Sequence, residues 1–203
     1  MRWLSALMSG TMLLGVLWMG CGSTDGNDDQ LVFQFLYFDS TGITQADSVG
    51  ETSANVDVVQ GFCDVAQTIP EPFTDTLINA VFRNNEASDI LLEQVVIDIP
   101  GGGIAPIVRN LTAVIPGGQC SNFNQQCASD LDCQGVIGAC LHMDTTISDI
   151  LLFDFEDKEH VIYPATYNVS ITFFGSDPNR SYETSTHYVV DFDNFNNCTQ
   201  TGG

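Results

Sequence analysis

From residue 166 to 174 the side chains alternate. Tyr167, Val169, Ile171 and Phe173 are apolar, and Asn168, Ser170 and Thr172 between them are polar. A period of two gives a strand with one buried and one wet face. Tyr188, Val190 and Phe192 repeat the pattern against His187, Val189, Asp191 and Asp193. Between the two runs, Gly175-Ser-Asp-Pro-Asn-Arg-Ser181 is a turn by composition. Residues 165–193 are therefore expected to form one long β-hairpin. Further strands are expected over 31–38, 54–60, 77–83, 90–99, 107–115 and 147–155. Breaks fall at Gly42, Pro70, Pro72, Asn84-Asn85, Gly101-Gly102-Gly103, Gly117-Gly118 and Pro164. About eight short strands with regular turns, and no long capped helical period, predict an all-β sandwich.

The start of the chain follows another rule. Arg2 precedes residues 3–20, which carry no charge, and the run closes on Gly20-Cys21-Gly22-Ser23. A positive start, an apolar segment and small residues at the exit read as an export signal. Cys21 directly after Gly20 resembles the lipobox of bacterial lipoproteins, in which that cysteine becomes the lipidated first residue. Trp18 and Met19 stand where that pattern usually has Leu and a small residue. An ordinary signal cut after Gly22 is one alternative. An uncleaved anchor is another, although the run is shorter than the ~20 residues that cross a bilayer. All three place residues 31–203 outside the cytoplasm. The resemblance implies a signal peptide at 1–20 and an acyl anchor on Cys21. Gly22 stands where an inner-membrane retention signal would put Asp, so the outer membrane is the expected address. Residues 21–30, small and polar after the cysteine, then read as a flexible tether to a domain at 31–203.

Charge narrows the partners. Past the leader, Arg83, Arg109, Lys158 and Arg180 face 26 acidic side chains. Such a surface repels phosphate backbones and anionic headgroups, so nucleic acid is excluded as a partner. It suits solubility in salt, divalent cations or a basic partner.

With Cys21 set aside, six cysteines remain: Cys63, Cys120, Cys127, Cys133, Cys140 and Cys198. An even number in an exported chain argues for three disulfides, and spacing alone does not choose the pairing. Four of them lie within 117–145 at intervals too wide for zinc knuckles. The run Cys127-Ala-Ser-Asp-Leu-Asp-Cys133 resembles small disulfide-knotted modules (Cys-x-x-Asp-x-Asp-Cys) of exported proteins. It reads as a stapled loop inserted in the sandwich. Cys63 and Cys198 are left over, and their pairing would clamp the start of the domain to its end. Pro164-Ala-Thr-Tyr167 ahead of an alternating strand resembles the tyrosine corner of immunoglobulin-like sandwiches. That resemblance implies an immunoglobulin-like or related Greek-key topology, without the core tryptophan of antibody domains.

Candidate chemistry is sparse. Asp154, Glu156 and Asp157 form one acidic cluster, and Asp191 and Asp193 with Asn194 form another. Oxygen ligands at the loop ends of a sandwich suit calcium, although no fixed-spacing calcium motif is present. Solvated carboxylates are the alternative. His142, His160 and His187 lie at no metal-ligand spacing, and His187 falls on the wet face beside Asp191. No Gly-x-Ser-x-Gly or phosphate-cradling loop occurs. Asn110-Leu-Thr, Asn168-Val-Ser, Asn179-Arg-Ser and Asn197-Cys-Thr match the glycan acceptor pattern, which matters only in a eukaryotic source.

The expected function is a non-catalytic binding or structural module of the cell envelope, held to the membrane by its lipid, with a protein or glycan partner. The wet face of the hairpin and the cysteine loop are the expected contact surfaces. The rivals are a calcium-dependent carbohydrate-binding or adhesive domain and an enzyme with a carboxylate site. A periplasmic or secreted location is the alternative address.

Overall fold

A computed structural model describes residues 32–39, 53–122, 124–136, 138–195 and 197–198. The expected signal peptide, Cys21 and the tether lie outside the described residues. Among the described residues ten strands run in the order β1 (Phe33–Asp39), β2 (Ser53–Asp57), β3 (Thr76–Asn84), β4 (Ile90–Asp98), β5 (Ile107–Ile115), β6 (Gln119–Cys120), β7 (Cys140–Leu141), β8 (Asp144–Phe153), β9 (Ala165–Ser176) and β10 (Ser181–Asp193). A 3₁₀ turn, Asp130–Val136, lies between β6 and β7, and one short helix, α1 (Phe155–His160), follows β8.

The strands form a sandwich. One sheet has the order β1-β3-β8 and the other β2-β10-β9-β4-β5, while β6 and β7 pair in a separate two-stranded ribbon. This is the immunoglobulin-like arrangement, with strands A, B and E on one sheet and G, F, C and C′ on the other. β2 adds a parallel strand beside β10, with Val56 opposite Phe192. The hairpin is antiparallel from Ser176 opposite Ser181 to Ala165 opposite Phe192. Its inner face carries Val169, Ile171, Phe173, Tyr182, Tyr188, Val190 and Phe192, all buried.

Aromatic rings join the sheets. Phe82 of β3 meets Phe173 of β9 edge to face at 4.9 Å, and Phe35 of β1 stacks on Phe173 at 5.9 Å. Phe38 meets Tyr188 edge to face at 4.9 Å. Such pairs add to the area they bury. Val169, two residues after Tyr167, occupies the place of the second cysteine of antibody domains, and it is fully buried. The Tyr167 hydroxyl donates to the Ile162 carbonyl at 2.9 Å, which closes a tyrosine corner at the entry to β9.

The two-residue strands β6 and β7 add to the expected pattern, and two of the expected strands have shifted ends. The strand expected over 147–155 runs Asp144–Phe153 instead, because Asp154 starts α1. The Asp154 carboxylate accepts from the Asp157 amide at 3.0 Å, and Asp157 returns the bond to the Asp154 amide at 3.0 Å. This reciprocal capping box satisfies helix donors that would otherwise be orphaned. β2 ends at Asp57, short of the expected 60.

Candidate functional site

At one end of the sandwich three segments meet: the turn between β3 and β4, the cysteine module between β5 and β8, and the turn between β9 and β10. These correspond to the loops that carry recognition in antibody variable domains. Asn84, fully buried at the end of β3, ties the first two together. Its Nδ2 donates to the Ser88 and Ile115 carbonyls at 2.8 and 3.2 Å, and its Oδ1 accepts from the Glu86 amide at 2.9 Å. Its backbone carbonyl accepts from Nδ1 of His142 at 2.8 Å. The Gly117 amide donates to Asp89 at 3.0 Å and the Gly118 amide to the Glu86 carbonyl at 2.8 Å. A Cβ on Gly117 would lie 2.2 Å from the Ala87 carbonyl oxygen, so only glycine allows the module to dock there.

The hairpin turn joins through Asp177. Its carboxylate accepts from the Ser88 hydroxyl at 2.8 Å, the Asn179 amide at 2.7 Å, the Tyr182 hydroxyl at 2.8 Å and the Arg180 amide at 2.9 Å. These donors, the Ser88 hydroxyl first, hold the carboxyl well below the usual range. Arg180 bonds Glu86 and lies over the Tyr182 ring, so this cation is engaged within the fold.

The module is stapled twice. Cys120 pairs with Cys133 and Cys127 with Cys140, each across 13 residues, so the two loops interlock. The aspartates of Cys-x-x-Asp-x-Asp-Cys shape the backbone between them. Asp132 accepts from the Ala128 and Ser129 amides at 2.9 Å, which lowers its pKa, and Asp130 accepts from the Cys140 amide at 2.8 Å. Cys120, Cys127 and Cys133 bring their sulfurs within 4.8 Å of one another. All three are disulfide-bonded, and a disulfide sulfur is no thiolate ligand. Beside them opens a cavity of about 300 Å³, lined by Gln119, Ser121, Asn122, Asn124, Leu141 and Met143 among others. Leu141 and Met143 are more than half exposed. Amides and apolar side chains side by side on a stapled frame form a surface suited to recognition.

The opposite end is closed by Cys63–Cys198, which spans 135 residues. Under it lie two buried carboxylates. Asp57 accepts from the Val59 and Phe195 amides at 3.2 Å and from Asn197 Nδ2 at 2.7 Å. Glu71 accepts from the Gly61 amide at 3.2 Å and from the Asn197 amide. Burial pushes the Asp57 pKa up. Lys158, the one lysine of the chain, is buried rather than solvated. Its Nζ donates to the Thr74 carbonyl and lies 4.9 Å from the Phe73 ring centre, and burial lowers its pKa.

The calcium candidates are scattered over this end. Asp154 and Asp157 both bond Arg109, Asp154 at 3.0 Å, and cap α1. Hydrogen bonds, the Asp157 amide first, lower the Asp154 pKa, while burial raises that of Asp157. Glu156 is exposed in the first turn of the helix. Asp191 accepts from the Thr166 hydroxyl at 3.0 Å, and Asp193 from the Asn194 amide at 2.8 Å. Among the described residues, no three of these carboxylates bring oxygens within 4.8 Å of one another. His187 is exposed opposite Ser170 on the wet face.

Sequence reasoning did not single out Asn84, Asp89, Asp177 or Glu71. Asp177 carries a signal, since Asp before Pro-Asn starts turns. Glu71, between Pro70 and Pro72, carries none for burial. The geometry defines a disulfide-stapled immunoglobulin-like sandwich with three segments joined at one end. No protein-family model, curated protein or solved structure matches this chain.

Proposed function

We propose that this chain is a lipid-anchored envelope protein whose sandwich binds a protein or glycan partner through its stapled loop end, without catalysis. The observation that carries the reading is the cavity beside Leu141 and Met143, set on a frame held by two disulfides and by Asn84. A surface fixed before binding loses little conformational freedom on association. The six paired cysteines favour an oxidising compartment, in keeping with export and a location at the outer membrane. Among the described residues no helix is long and apolar enough to cross a membrane.

The point where the chain enters the fold supports an orientation for the site. The Asn85 amide donates to the Val32 carbonyl at 2.8 Å, so the chain enters the sandwich at the loop end. Eleven residues beyond Cys21 reach roughly 40 Å at full extension. A lipid there would hold the loop end close to the bilayer, and the partner would be a component of the same envelope.

Immobilised envelope glycans and solubilised envelope proteins are the probes. Replacing Leu141 and Met143 together by Asp should abolish capture and leave the circular dichroism unchanged. Capture retained by that variant would move the contact to the wet face of the hairpin.

A further inference from the structure

Of the four module cysteines, Cys120, Cys127 and Cys133 are at most 3% exposed, and Cys140 alone is partly open. Nε2 of His142 lies 3.4 Å from Cys140 Sγ. Nδ1 of the same ring faces the Asn84 carbonyl, which only accepts, so Nδ1 carries a proton. In the neutral ring, Nε2 is then a bare base beside the sulfur of the one partly exposed cysteine of the module. Gly118 makes room for this contact. A Cβ there would lie 2.6 Å from His142 Cε1 and 2.9 Å from Cys140 Sγ.

We propose that Cys127–Cys140 is a thiol–disulfide exchange site for an external dithiol, with Cys140 as the attacked sulfur and His142 as the base. One thiol of the donor gives its proton to His142 Nε2, and its thiolate attacks Cys140 Sγ. The Cys127–Cys140 bond breaks and Cys127 leaves as a thiolate. The donor's second thiolate then attacks the first donor sulfur, and Cys140 leaves. His142 returns its proton to Cys140, and the proton of the second thiol ends on Cys127. The donor is oxidised to a disulfide by two electrons, and the module is reduced by two. A base beside the attacked sulfur raises the reactive thiolate fraction where it is needed. In the disulfide-bonded molecule Cys127 Sγ lies within 4.8 Å of the Cys120 and Cys133 sulfurs, so the thiolate released there can pass the exchange to the second staple. Cys120 of that second staple lines the cavity, so on the binding role proposed above the exchange reaches the contact surface.

The full chain is treated with dithiothreitol, quenched by alkylation over time and mapped by mass spectrometry. His142→Asn keeps a donor for the Asn84 carbonyl and lacks Nε2. It should slow opening of Cys127–Cys140 by on the order of a hundredfold. Cys63–Cys198 in the same sample is the reference, and its rate should not change. Equal Cys127–Cys140 rates in the two proteins would overturn the proposal. Because the variant could also disturb packing, the unaltered protein is tested separately with a monothiol. The module adduct should map to Cys140, and an adduct on Cys127, or none in the module, would overturn the proposal as well.

Discussion

Removing the Cys63–Cys198 disulfide by a double replacement with Ala should cost far more stability than removing either module staple. The bond spans 135 residues and encloses every strand from β3 to β10. Cutting it returns chain entropy to the unfolded state, and the loop-closure relation puts the loss at about 5 kcal/mol. The same relation gives about 3 kcal/mol for each 13-residue staple. The native side amplifies the difference. Cys198 holds Asn197, whose amide and side chain satisfy Glu71 and Asp57. Freed from that partner, both carboxylates lose a donor while still buried. The module cysteines form a cluster apart from the sandwich core, so opening one leaves the sheets in place. Urea unfolding followed by far-ultraviolet circular dichroism and tyrosine fluorescence measures this, since both tryptophans, Trp3 and Trp18, precede the domain. A loss below about 1 kcal/mol for the Cys63/Cys198 pair would refute the clamp, as would a larger loss for a module staple.

Tyr167→Phe deletes the corner bond to Ile162 and should lower stability by about 1 kcal/mol, read as a shifted urea midpoint at constant slope; an unchanged midpoint would contradict the corner's role. Phe82→Ala empties the contact that joins the sheets at Phe173 and should cost about 3–5 kcal/mol by the same assay, with under 1 kcal/mol counting against this core. Asp177→Asn should destabilise the protein at neutral pH. The Asp177 carboxyl is depressed in the folded state, so its contribution is present above the unfolded value near 4 and fades as pH falls through the lower folded value. The gap between variant and parent in urea midpoint should therefore close in acid, and a gap that widens would reverse the assigned sign.

The sandwich was legible because its strands alternate. Residues 166–174 can bury Val169, Ile171 and Phe173 together only as a strand, and the register of the hairpin follows from the turn at Asp177. Pro164 and Tyr167 pointed to the corner through their resemblance to immunoglobulin-like sandwiches. The staples were legible as an even cysteine count, whereas the pairing within the module depends on how Asp130 and Asp132 fold the backbone, which spacing does not encode. The loop end was harder to read. Asn84 and Asp89 are polar residues in turns, and in sequence they look like any others. Only the approach of Gly117 to Ala87 makes them the joint between two segments. In sequence, Asp154, Glu156 and Asp157 look like a set of acidic ligands, because a six-residue helix is too short to show a period. In the fold, the two aspartates cap that helix and hold Arg109.

The intact mass of the protein from its native membrane fraction, with and without reductant, bears most directly on the envelope-anchored reading. The account predicts a chain that starts at Cys21 and carries acyl mass, with six hydrogens gained as the three disulfides are reduced. An unmodified chain that starts at Ser23 would contradict it.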